Sequence, residues 1–134
     1  MRKRFAALVL VATVSACARL SGPPTSSFSV FFPPYSAELD QDAQTAIHNA
    51  AAFAKSRPSE PVILIGYSAP PDPGKDVPGL SEQRAQAVKT VLVSDGVNPN
   101  RISAIAKGIT DPKANMPELS VRRVDISVGA LPPG

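Results

Sequence analysis

Apolar and polar positions along this chain recur with two different periods, and together they lay out four strands and two helices. Phe28 to Phe32 is aromatic and β-branched, lies between Ser27 and Pro33-Pro34, and predicts a first strand. From Ala43 the apolar positions Ala46, Ile47, Ala50 and Ala54 return at helical spacing, with Phe53 beside them. Asp40 is placed to cap that helix, and Lys55, Arg57 and Pro58 close it. Its alanine-rich stripe permits close approach to a sheet but buries less area than leucine would. Val62 to Ile65 is a continuous apolar run between Pro61 and Gly66, as expected of a strand in a sheet interior. After a proline-rich loop, Ser81 is a candidate cap for a second helix, with Ala85, Val88, Val91 and Leu92 on one face and Gly96 as its stop. Ile102 to Ile109 and Val121 to Val128 supply two further strands. In the last, Val124, Ile126 and Val128 alternate with Arg123, Asp125 and Ser127, which predicts one buried and one wet face. The pattern predicts an α+β fold, a two-layer sandwich of order βαβαββ with both helices on one face of a four-stranded sheet.

Upstream of the first strand the pattern changes. Arg2, Lys3 and Arg4 precede an apolar run from Phe5 to Val14 that ends in small residues, the order of an export signal. The run is well short of the roughly 20 residues that a membrane-crossing helix needs. Val14-Ser15-Ala16-Cys17 resembles the bacterial lipobox, which implies lipid attachment at Cys17. The alternative is an ordinary signal with an incidental cysteine near its cut site. A lone cysteine forms no internal disulfide, and lipidation would remove a thiol that is a liability in an oxidising compartment. Ser21, Gly22, Pro23, Pro24, Thr25, Ser26 and Ser27 favour a solvated tether. The expected organisation is therefore a signal at 1–16, a lipidated cysteine and tether at 17–27, one domain at 28–129 and a short tail at 130–134.

The net charge of +3 changes its meaning once it is placed on the chain, because three of the fourteen basic residues sit in the signal. The other eleven balance eleven acids, and the domain lacks the basic stripe that nucleic-acid binding requires. Catalytic chemistry is equally thin. His48 is the single histidine and lies within the first helix, while Ser68 and Ser81 have no visible base. No His, Cys or carboxylate cluster appears at metal-ligand spacing, so neither an enzyme, a cofactor nor a metal is expected.

Gly66-Tyr67-Ser68, Leu80-Ser81-Glu82-Gln83-Arg84-Ala85-Gln86-Ala87-Val88, Gly96-Val97 with Arg101-Ile102, and Arg122-Arg123-Val124-Asp125-Ile126 together resemble the OmpA-like peptidoglycan-binding domain. The likeness runs from about Phe28 to Val128, and Leu-Ser-x-x-Arg-Ala is its most specific element. With the lipobox, the chain resembles peptidoglycan-associated lipoproteins of the outer membrane. The resemblance implies strand order 1-4-2-3 with the fourth strand antiparallel to its neighbours, and a cleft beside the second helix where a peptidoglycan stem peptide docks. It also implies that Arg84 holds a carboxylate of diaminopimelate, and Leu80, Ala69 and Arg122 are further candidate peptidoglycan-binding positions. Arg123 is grouped with Arg122 as either a wall contact or plain surface.

A helix cap at Ser81 would put Arg84 in the first helical turn, where free N–H groups and the dipole disfavour a cation and favour an anion. A guanidinium offers a carboxylate two parallel bonds, which lysine does not. The alternative is an internal pair with an acid such as Glu82 or Asp76. Where the family carries an amine-binding Asp, this chain has Ala69, and the family's Asn is replaced by Val77. Asp72 and Asp76 are candidate substitutes for the lost carboxylate. Two functions follow as expectations: an outer-membrane lipoprotein whose periplasmic domain tethers membrane to cell wall, or a degenerate module that binds an envelope protein.

Overall fold

The computed structural model describes residues 26–129. The expected signal at 1–16, Cys17 and the tail at 130–134 lie outside the described residues, as does the tether up to residue 25. The elements run β1 (Ser26–Phe31), α1 (Gln41–Lys55), β2 (Val62–Ser68), α2 (Leu80–Ser94), β3 (Ile102–Ile109) and β4 (Arg123–Val128), with short 3-10 turns at Pro99–Arg101 and Glu118–Val121. The sheet order is β1-β4-β2-β3. β4 is antiparallel to β1 and β2, and β2 is parallel to β3. This is the α+β sandwich expected, with the expected order 1-4-2-3.

Both helices pack on one face. Val30, Ile47, Leu64, Val88, Leu92 and Ile126 are fully buried between the layers. The alanine stripe of α1 behaves as its composition dictates, since Ala43, Ala50, Ala51 and Ala54 are all in the core. Asp40 caps that helix, its carboxylate accepting from the Ala43 backbone N–H at 2.8 Å. At the other end Arg101 donates to the carbonyls of Ala54, Arg57 and Glu60, tying the last turn of α1 to the connection that follows it.

Ser81 does not cap α2. The helix begins two residues earlier than that cap implies, at Leu80, with Gly79 at the cap position in the left-handed region at φ 69° and no side-chain cap bond. Glycine tolerates that conformation, so the chain turns into the helix before reaching the serine. Ser81 is instead turned inward, where its hydroxyl accepts from the Gly108 N–H at 3.1 Å. At the first strand the ladder opens at Ser26, inside the segment expected as tether, and at the last it opens at Arg123, because Val121 belongs to a 3-10 turn.

The open face of the sheet carries Arg123 over the Tyr67 ring at 4.7 Å and bonded to Asp125 at 2.9 Å. Ser127, expected on the wet face, is only 2% exposed. Its neighbours across the ladder are Ser27 and Ile63, and a small side chain on an interior strand is covered from both sides.

Candidate functional site: a buried guanidinium under a shallow cleft

The site begins with a glycine. An added Cβ on Gly66 would lie 2.2 Å from the Ser81 carbonyl oxygen, so only glycine lets α2 come this close to β2. That approach carries Arg84 down between the helix and the sheet. Arg84 falls in the second turn of α2 rather than the first, and it has no solvent exposure. Its guanidinium donates to three backbone carbonyls: Nε to Ser36 at 2.9 Å, Nη1 to Tyr67 at 3.1 Å and Nη2 to Pro33 at 3.0 Å. The carbon of the guanidinium lies 5.2 Å from the centre of the Phe32 ring.

Two of these acceptors come from the connection between β1 and α1. Tyr35 in that connection sits at φ 56°, a left-handed conformation uncommon outside glycine, and the turn it makes aims the flanking Pro33 and Ser36 carbonyls at the guanidinium. The internal ion pair considered for Arg84 does not form: among the described residues no carboxylate lies within salt-bridge distance of it, Glu82 and Asp76 included. The nearest charge effect is unfavourable. Burial, and then the Arg122 cation, lower the Arg84 pKa to about 10, so at neutral pH the group is a buried cation without a counter-ion. A guanidinium has five N–H bonds, and three are committed here.

Above it lies a shallow cleft, walled by Pro34, Tyr35, Ala69, Pro70 and Leu80, with Arg84 at its floor and Glu118 and Arg122 at its side. Its volume is about 10 Å³, room for one water-sized polar group. Arg122 is bonded to Glu118 through Nη1 at 3.1 Å. Its Nε is buried with no partner among the described residues. The structure therefore brings together Arg84, Arg122, Leu80 and Ala69. It does not bring Arg123, which stays on the open sheet face.

A second small cleft adjoins the first across Tyr35, Ala69 and Leu80 and is lined further by Ser68, Lys75, Asp76 and Val77. Asp72 is not free to replace the missing carboxylate. Its Oδ2 accepts from the Tyr35 hydroxyl at 2.6 Å and meets Lys75 Nζ at 3.5 Å. The Tyr35 hydrogen bond, helped by Lys75, holds the Asp72 carboxyl below the usual carboxylate range, and the same bond raises the Tyr35 phenol above its own. Asp76 is exposed at the rim of the second cleft. Sequence reasoning missed Tyr35, Glu118 and the three carbonyls. The turn residues Pro33-Pro34 were visible, but a backbone acceptor has no side-chain signature.

This arrangement is that of a small α+β domain with a cation beneath a shallow cleft beside its second helix. The OmpA family matches residues 31–124, and the chain belongs to that family. It is 39% identical over 88 residues to Outer membrane porin F of Pseudomonas fluorescens, covering 63% of this chain and 27% of the porin. The chain thus spans about a quarter of that relative's length. Among solved structures it resembles the OmpA-like domain of FopA1 from Francisella tularensis, with a TM-score of 0.68 and 25% identity over 78% of this chain and 71% of that one. The periplasmic domain of Helicobacter pylori MotB gives a TM-score of 0.65 at 25% identity, over 78% of this chain and 76% of that one. The peptidoglycan-associated lipoprotein of Burkholderia pseudomallei shares the fold, with a TM-score of 0.64 and 24% identity over 75% and 89% of the two chains.

Proposed function

We propose that this domain binds peptidoglycan non-covalently, with a stem carboxylate seated in the cleft over Arg84 and against Arg122. The observation that carries this reading is the uncompensated charge: a fully buried guanidinium, held by neutral carbonyls, its pKa pushed down by burial and then by a second cation. A cation so placed is costly without a partner, and an anion from outside relieves it. A carboxylate oxygen fits the cleft, and the two arginines supply N–H donors still uncommitted. Family membership, the porin relative and the likeness to a peptidoglycan-associated lipoprotein support the same reading and an envelope location facing the periplasm.

With a lipid on Cys17, the domain would tether the outer membrane to the cell wall. We read it as a binding module rather than an enzyme. His48 is bonded to Asp95, at the opposite end of α2 from the cleft. The missing carboxylate at Ala69 weakens the site by roughly the worth of one charge-assisted hydrogen bond, about 1.5 to 3 kcal/mol, or about ten- to a hundred-fold in affinity.

The test is retention of the full-length protein on purified sacculi. Wild type is expected to sediment with them, Arg84→Ala to stay in the supernatant, and Arg122→Gln, which leaves the carbonyl clamp intact, to be retained less. Loss of palmitate labelling in Cys17→Ser checks the anchor. Ala69 and Val77 together favour a second reading, in which the module contacts an envelope protein instead. Failure of wild type itself to sediment would support that alternative.

A further inference from the structure

Two of the acids around the cleft are already matched, and this bears on which ligands the site distinguishes. Glu118 is bonded to Arg122, and Asp72 is held by Tyr35 and Lys75. Just past the end of β2 the cleft is walled by Ala69, which has no charge to offer. Much of what remains around it is apolar, with Pro34 and Pro70 in the first cleft and Pro71 and Val77 in the second, beside Ser68, Lys75 and Asp76. Asp76 lines the second cleft but is exposed, where water screens it. The site therefore presents surplus positive charge and donors to one part of a ligand and proline and alanine surface to the next.

The geometry points to a site that reads only the anionic end of a zwitterionic side chain. Resting on the peptidoglycan reading above, this makes the domain indifferent to whether the stem's side-chain amine is free or acylated. A free ammonium meets only Asp76, exposed and screened by water, and an amide in its place gives up no ion pair. Cross-linking in the wall converts that amine to an amide. The domain consequently accepts cross-linked and uncross-linked stems alike, and the substitution at residue 69 widens the ligand class while lowering affinity.

The experiment measures binding of two probes to the full-length protein. One is a disaccharide–tripeptide carrying diaminopimelate with a free side-chain amine, and the other is the same compound acetylated on that amine. Wild type is expected to bind both with Kd values within about two-fold. Ala69→Asp, which adds a carboxylate at the cleft wall, should favour the free amine by about ten-fold, the worth of one charge-assisted bond. Asp76→Asn should leave the wild-type ratio unchanged. A wild-type preference of ten-fold or more for the free amine overturns the inference while leaving the peptidoglycan reading standing, because binding is still seen. Absence of binding to either probe, with no retention on sacculi, removes the reading and the inference together.

Discussion

Two arginines in this domain do the same job with opposite outcomes. Arg101 and Arg84 each donate to backbone carbonyls and neither touches a carboxylate among the described residues. Arg101 closes the C-terminal end of α1, where exposed carbonyls and the helix dipole favour a cation, and it is only half-buried. Arg84 emerges near the N-terminal end of α2, is fully buried, and shares its surroundings with Arg122. The first is a finished piece of structure. The second has its hydrogen-bonding geometry supplied by the fold and its charge left unanswered, the difference on which the proposed binding rests.

The comparison breaks most completely if α2 is lifted from the sheet. Gly66→Ala forces a Cβ against the Ser81 carbonyl and should cost about 3 kcal/mol or more, seen as a fall in urea midpoint together with loss of sacculus binding. Arg84→Ala removes the shared donor of three part-buried carbonyls and relieves a buried cation, a net cost of about 2 to 3 kcal/mol. Arg101→Ala should cost less, about 1 to 2 kcal/mol, because the Ala54 and Arg57 carbonyls keep the backbone N–H groups of Arg57 and Glu60 as donors. Urea melts rank the two. Binding separates them, since Arg101→Ala variants that remain folded should be retained on sacculi as wild type is.

The smallest effect sharpens the account of the loop. Asp72 is depressed by the Tyr35 hydroxyl and by Lys75, so the stability this clasp adds is present above the ordinary carboxylate pKa and is lost as pH falls through the folded-state value. Tyr35→Phe should move the Asp72 carboxyl resonance titration upward and leave neutral-pH stability almost unchanged. An unmoved titration would mean the clasp is absent in solution.

The fold was legible because its signals are periodic. Val124, Ile126 and Val128 alternate as strand residues must, and the alanine stripe of α1 could face only a sheet. Element ends were less legible, and Ser81 shows why: a good capping residue is overruled when a glycine two positions earlier allows the helix to start sooner. At the site, Arg84 stood out through the Leu-Ser-x-x-Arg-Ala element, and the departure at Ala69 was plain. Its surroundings were not. Pro33, Ser36 and Tyr67 contribute carbonyls that any residue would carry, and Tyr35 meets Asp72 across 37 positions of chain, a contact only the folded sheet creates.

Isotope-resolved spectra of the two arginine side chains test the central claim most directly. On titration with the free-amine disaccharide–tripeptide, the Nε–H signal of Arg84 should shift and saturate while that of Arg101 stays in place. A ligand that binds without moving Arg84, or that moves both arginines equally, would show that the buried guanidinium is scaffold alone.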